Sequence, residues 1–186
     1  MKLIGSTTSP FVRKVRLLLE GQDYEFETLK ALSPEGVKKL ESYGPVRRIP
    51  ILIDGEKVIF DSSLISEYLL AKKSIVLSLD EKLTLKLIDE LCDAGIILFQ
   101  QKLWEIDPLW ENEFSKRTDA RANAILDQLE QYAANDSFTQ LQKDWLFCVL
   151  DWINLRQVFD WTLRSNLLSL YKKLEQSDKY TSTRPE

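Results

Sequence analysis

The sequence predicts an α/β domain joined to an all-α domain. Strand and helix patterns alternate as β-α-β-α-β-β-α within residues 1–73, and from Glu81 onward only long stretches of helical spacing follow. Residues 1–73 carry 12 basic and 10 acidic side chains, against 13 and 19 in the remainder. The predicted domains are 1–73 and 81–186, with 74–80 as linker.

Met1–Ile4 is short and apolar, a first strand running into the Gly5–Ser9 loop. Pro10 opens a helix with Val12, Val15, Leu18 and Leu19 on one face and Arg13, Lys14 and Arg16 largely outside it. Gly21 supplies the stop. Tyr24, Phe26 and Thr28 alternate with acidic residues as a strand. Ser33-Pro34-Glu35 reads as a cap and first turn, with Val37 and Leu40 inward. Ile51–Ile53, a turn at Asp54-Gly55, and Lys57–Phe60 make a hairpin. Asp61 caps the next helix, with Leu64, Ile65, Tyr68 and Leu69 as its apolar stripe. A parallel βαβ unit followed by an antiparallel hairpin gives a small mixed sheet with helices on its faces, the thioredoxin-like pattern.

The second domain starts with a helix bearing Leu83, Leu87, Leu91 and Ile97-Leu98. The next spans about Ser115–Tyr132, with Ala122, Ile125, Leu126 and Leu129 inward, and Asp119, Asp127 and Glu130 on a solvated face. Asp144 to Phe159 is apolar on most sides, which predicts a buried central helix with Trp145 and Trp152 in the core. Leu163, Leu167, Leu168, Leu170 and Leu174 mark a fourth helix. Trp104 and Trp110 flank Pro108, placed to pack in a core or interface or to line an apolar pocket.

Composition narrows the chemistry. Histidine is absent, which removes imidazole proton shuttles, His-based triads and His-containing zinc sites. No metal site is expected. A net charge of −4 offers no global attraction for nucleic acid. The longest purely apolar run, Trp145–Leu150, is far shorter than a membrane span. Cys92 and Cys148 are isolated, so the expectation is a reducing compartment and a cytoplasmic protein without disulfides.

Three stretches carry a family resemblance: Ser9-Pro10-Phe11-Val12-Arg13-Lys14-Val15-Arg16, Arg48-Ile49-Pro50-Ile51-Leu52, and Asp61-Ser62-Ser63-Leu64-Ile65-Ser66-Glu67-Tyr68-Leu69. In this order they resemble the cytosolic glutathione S-transferases, in a tau-, omega- or zeta-like, bacterial-type form with serine at the catalytic position. The first is similar to the S-P-F helix start of tau-class enzymes; omega-class enzymes have cysteine in place of the serine. The second resembles the loop ending in a cis-proline, and the third the E/D-S-x-x-I-x-x-Y-L helix start. Two positions depart from the family: Tyr43-Gly44-Pro45-Val46 replaces the common Asn-Pro, and Leu141 stands where a hydroxyl residue usually precedes Asp144. Thr139 with Gln142 offers a shifted capping box.

The resemblance implies a glutathione-dependent transferase acting on a small hydrophobic electrophile, as a homodimer. Ser9 would stabilise the glutathione thiolate at a helix N-terminus; Ser-Pro is equally an ordinary N-cap with proline at N1. Phe11 and Arg48 are implied on the glutathione side of the site, Arg48 toward the glycyl carboxylate or else as a solvated side chain. Ile49 would offer its backbone to the cysteinyl part beside a cis Pro50, which as a trans proline would merely start a strand. Asp61 and Ser62 would take the γ-glutamyl ammonium and carboxylate, or act simply as caps. Two alternatives stay open: a non-catalytic interaction or regulatory module of this fold, and a glutathione-dependent reductase or lyase.

Overall fold

Four short strands, β1 (Lys2–Gly5), β2 (Glu25–Thr28), β3 (Ile51–Asp54) and β4 (Lys57–Phe60), form one sheet in the order β2-β1-β3-β4. β1 runs parallel to β2 and antiparallel to β3, and β3 is antiparallel to β4. Helices α1 (Pro10–Leu18), α2 (Pro34–Glu41) and α3 (Ser62–Lys72) connect or follow these strands. The protein is described by a computed structural model covering residues 1–106 and 112–185. Its two units are Met1–Val76 with Asp178–Glu186, and Leu77–Ser177. The segment from Asp178 thus packs with the first unit, although in sequence it continues the helical stretch.

The sheet alternates as its period of two requires. Ile4 and Ile51 pair across β1 and β3 and pack with Leu29 and with Leu40 of α2. Leu3 and Leu52, paired on the opposite face, are fully buried. Lys2 of β1 bridges Glu25 at 3.1 Å and Glu27 at 2.6 Å, and Lys39 of α2 also pairs with Glu27, tying α2 to the sheet edge. Gly36 is required in α2: a Cβ there would lie 2.0 Å from the Lys30 carbonyl oxygen.

Several predicted faces differ. Val37 and Leu64 are 38% and 52% exposed, because the buried stripes are set by Leu40 in α2 and by Ile65 and Leu69 in α3. Arg13 and Lys14 are only 2% exposed, not outside the apolar face. Backbone and hydroxyl acceptors receive Arg13, and the Lys14 ammonium lies 5.3 Å from the Phe11 ring. The hairpin turn falls one residue later than predicted. Asp54 still pairs with Lys57, and Gly55, at φ 60°, begins the two-residue loop.

The second unit holds α4 (Leu79–Leu103), α5 (Glu113–Ala134), α6 (Gln140–Arg156) and α7 (Ser165–Glu175). α6 is the buried centre: Trp145 to Leu150, Trp152 and Ile153 are all buried. Thr139 and Gln142 form the expected capping box. Ala122, Ile125, Leu126 and Leu129 line the inner face of α5. α4 turns Leu85, Ile88, Leu91 and Leu98 inward, leaving Leu83 55% exposed, since Leu85 begins the stripe that repeats at 3–4 residues. Leu163 precedes α7 and is 86% exposed, while Leu167 is fully buried. Cys92 and Cys148 are both buried. Among the described residues no helix is long and apolar enough to cross a membrane.

Candidate functional site

The strand registers bring the sequence motifs together. Ile4 pairs with Ile51 and Ile51 with Phe60, so the ends of β1 and β4 and the start of β3 lie at one end of the sheet. The Ser6–Ser9 loop, the Ile49-Pro50 bond and Asp61 leave from that end. So do the N-termini of α1 and α3, whose dipoles favour an anion.

Gly5 sets the first of these helices in place. A Cβ at Gly5 would lie 2.5 Å from Val12 Cγ2, so glycine lets the first turn of α1 rest on the end of β1. Ser9 is the N-cap of α1. Its Oγ accepts from the Val12 N–H at 3.3 Å, its carbonyl accepts from the Arg13 N–H at 3.0 Å, and its own N–H donates to Ser6 O at 3.1 Å. A hydroxyl that accepts from the backbone keeps its proton to donate elsewhere. Phe11, in the same turn, is half-buried beneath the Lys14 ammonium.

The Ile49-Pro50 peptide is cis. Ile49 packs against the Ile4–Leu29–Leu40–Ile51 cluster, and Pro50 is buried. Of the two arginines before it, Arg47 is held by Glu41 at 3.3 Å. Arg48 is exposed and joins no ion pair among the described residues.

Asp61 caps α3 in an uncommon conformation, φ 70° and ψ 125°. Its Oδ1 accepts from the N–H groups of Ser63 at 2.9 Å and Leu64 at 3.1 Å. Both bonds fall on one oxygen of an exposed residue. Ser62 is 5% exposed, and its carbonyl accepts from the Ser66 hydroxyl at 2.7 Å. The arrangement can favour anions at the two helix N-termini and a cation on the Asp61 carboxylate.

In the second unit Tyr171 stacks on Phe147 and meets Trp161 edge-on, with ring centroids 5.1 and 5.4 Å apart. Trp145, Trp152 and Trp161 are buried, and Trp104 is 55% exposed. Trp110 and Pro108 lie outside the described residues. Asp127 and Glu130 do more than face solvent. Asp127 pairs with Arg164 at 3.0 Å, and Glu130 accepts from the backbone N–H groups of Asn166 and Leu167. The sequence reading missed Arg13, whose burial depends on a partner segment about 170 residues away and leaves no local signal.

Residues 3–75 match the family model described as glutathione S-transferase, N-terminal domain. The "Uncharacterized GST-like protein YibF" of Escherichia coli strain K12 is 27% identical over 100% of this chain and 98% of its own length. A glutathione S-transferase from Methylobacillus flagellatus, crystallised with glutathione, superposes with a TM-score of 0.83 at 21% identity, covering 100% of this chain and 99% of its own. A glutathione transferase family member from Pseudomonas fluorescens, with bound glutathione, also gives 0.83, at 23% identity over 100% and 98% of the two chains.

Proposed function

We propose that this chain, whose N-terminal domain is of the glutathione S-transferase family, binds glutathione at the sheet end bearing Ser9, Pro50 and Asp61 and transfers the thiolate to a small hydrophobic electrophile. The observation that carries this reading is the convergence of two capped helix N-termini and a cis-proline at one end of the sheet. The glutathione-bound structures of its fold relatives support it.

Glutathione supplies the nucleophilic sulfur, whose thiol has an ordinary pKa of roughly 8.5. The Ser9 hydroxyl donates a hydrogen bond to the charged form, and the first-turn amides of α1 add positive potential, so both favour the thiolate. The backbone of Ile49 offers strand-like hydrogen bonds to the cysteinyl part. Ser62, at the positive end of α3, holds the γ-glutamyl carboxylate, while Asp61 takes its ammonium. Arg48 reaches the glycyl carboxylate, a role that the ion-paired Arg47 is less able to fill. Phe11 packs beside the tripeptide. With no histidine in the chain, no imidazole takes part in proton movement.

The protein acts as a cytoplasmic homodimer in this reading. The partly exposed Val58, Phe60 and Leu64 on β4 and α3 supply apolar surface for a second copy.

Calorimetric titration of glutathione into the wild type, Asp61→Ala and Ser9→Ala tests the proposal. Wild-type binding that Asp61→Ala weakens supports the site. Ser9→Ala should bind but lose roughly tenfold or more in kcat/KM below neutral pH, the effect of one hydrogen bond to a charged group. No wild-type binding at millimolar glutathione overturns the reading and favours the same fold used as an interaction module. Reduction of a mixed glutathione disulfide would favour a reductase instead.

A further inference from the structure

The helix capped by Ser9 is held by a segment far along the chain. α8 (Asp178–Thr181) and the residues after it pack in the first unit. Arg13, one turn after Ser9, is 2% exposed. Its Nε donates to Thr183 Oγ1 at 3.1 Å and its Nη2 to the Tyr180 carbonyl oxygen at 2.9 Å. Thr183 Oγ1 donates in turn to the same Tyr180 oxygen at 3.2 Å, closing a three-membered ring of hydrogen bonds. Tyr180 is 1% and Thr183 8% exposed. A turn further along, Arg16 reaches the carbonyl oxygens of Thr183 and Ser182 at 3.5 Å, and Lys179 approaches Glu20 at 3.8 Å. These five contacts run along α1 and just past its end, and the most buried lie nearest Ser9.

We infer that Asp178–Arg184 is a clamp for α1, and that Arg13, locked by Thr183, is a positioning residue for Ser9. The argument is geometric. The Arg13 N–H closes the first turn on the Ser9 carbonyl, while its guanidinium is fixed in two directions by the fork of Nε and Nη2. A side chain of this length, buried and bonded at both nitrogens, has lost its rotamer freedom. Its backbone is then fixed, and with it the turn that presents the Ser9 hydroxyl and the α1 amides. A first turn is otherwise the part of a helix most prone to fray. A nucleophile site needs these donors held in place before the ligand arrives, because donors that must be ordered on binding give back part of the stabilisation.

The role of the clamp in catalysis rests on the function proposed above; its role in ordering α1 does not. The test compares the full-length wild type with Thr183→Val, which keeps shape but removes the hydroxyl, and Thr183→Ser, which restores it. Hydrogen exchange is followed at the Val12 and Arg13 amides and throughout the first unit. Thiolate absorbance of bound glutathione is recorded against pH.

Thr183→Val is expected to speed exchange at Val12 and Arg13 roughly tenfold, the worth of one hydrogen bond to a charged group, with little change in the sheet. It should also shift thiolate formation to higher pH, and Thr183→Ser should reverse both effects. Unchanged exchange at Val12 and Arg13 overturns the clamp. So does a rise spread evenly over the unit, which is global loosening. Faster local exchange with an unaltered thiolate profile overturns the positioning role. A wild type that binds no glutathione defeats the proposed function instead, and leaves the clamp to be judged on exchange alone.

Discussion

Asp61 combines a strained backbone with a helix cap. Its φ of 70° lies where a side chain with Cβ is disfavoured, at a cost of about 1–3 kcal/mol. Its carboxylate offsets part of that by capping α3. Glycine accepts the same φ and, as an N-cap, loses only a few tenths of a kcal/mol against aspartate. Asp61→Gly, even after the roughly 0.5–1 kcal/mol that glycine costs through its unfolded-chain entropy, should therefore melt at the wild-type temperature or above it, a gain of up to about 2 kcal/mol. It should also bind glutathione about tenfold more weakly, having lost the partner for an ammonium. A clear fall in the melting temperature would count against strain at this position. The caps at Ser9 and Asp61 and the proline at 50 were legible because each sits beside its own helix or strand and acts over three or four residues. The conformation of Asp61, the steric need for Gly36 and the burial of Arg13 were not, since each depends on what other parts of the chain place nearby.

Among the helices, α7 owes its start to another element. Arg164 stands at its N-cap without a side-chain cap hydrogen bond. Glu130 of α5 fills that role, accepting from Asn166 N, Asn166 Nδ2 and Leu167 N at 2.9, 2.6 and 2.9 Å. Partial burial pushes the Glu130 carboxyl upward, but the hydrogen bonds from Asn166 and Leu167, with Arg164 nearby, outweigh it and hold the group below its ordinary value of 4.5. A lowered folded-state value means that the stabilisation is complete above that ordinary value and is lost as pH falls through the folded-state one. Glu130→Gln should thus be less stable than wild type by about 1 kcal/mol at neutral pH, with the gap closing in acid. Urea midpoints measured across pH check this; equal midpoints at neutral pH would remove Glu130 as a cap. Sequence periodicity found α5 and its inner face, yet assigned Glu130 to solvent. A carboxylate capping a helix 36 residues later has no signature in its own turn. The misplaced faces of Val37, Leu64 and Leu83 share a cause: short or broad apolar stripes leave the rotation of a helix to be settled by packing.

On the scale of the whole molecule, the order of strands and helices was readable because strand and helix periods differ and the hairpin turn is marked by Gly55. The return of residues 178–185 to the first unit was not, because chain continuity says nothing about packing partners. Assembly is the prediction that belongs here. Light scattering at micromolar concentration should give twice the 21.7 kDa chain mass, and a monomer would defeat the homodimer. One further property follows from the burial of both cysteines. The folded protein should be silent to thiol-specific dyes, so its native state supplies a dark background. Consumption of a thiol co-substrate can then be followed colorimetrically in its presence, and a slow rise in dye signal without that co-substrate becomes a direct clock for the opening of the helical unit.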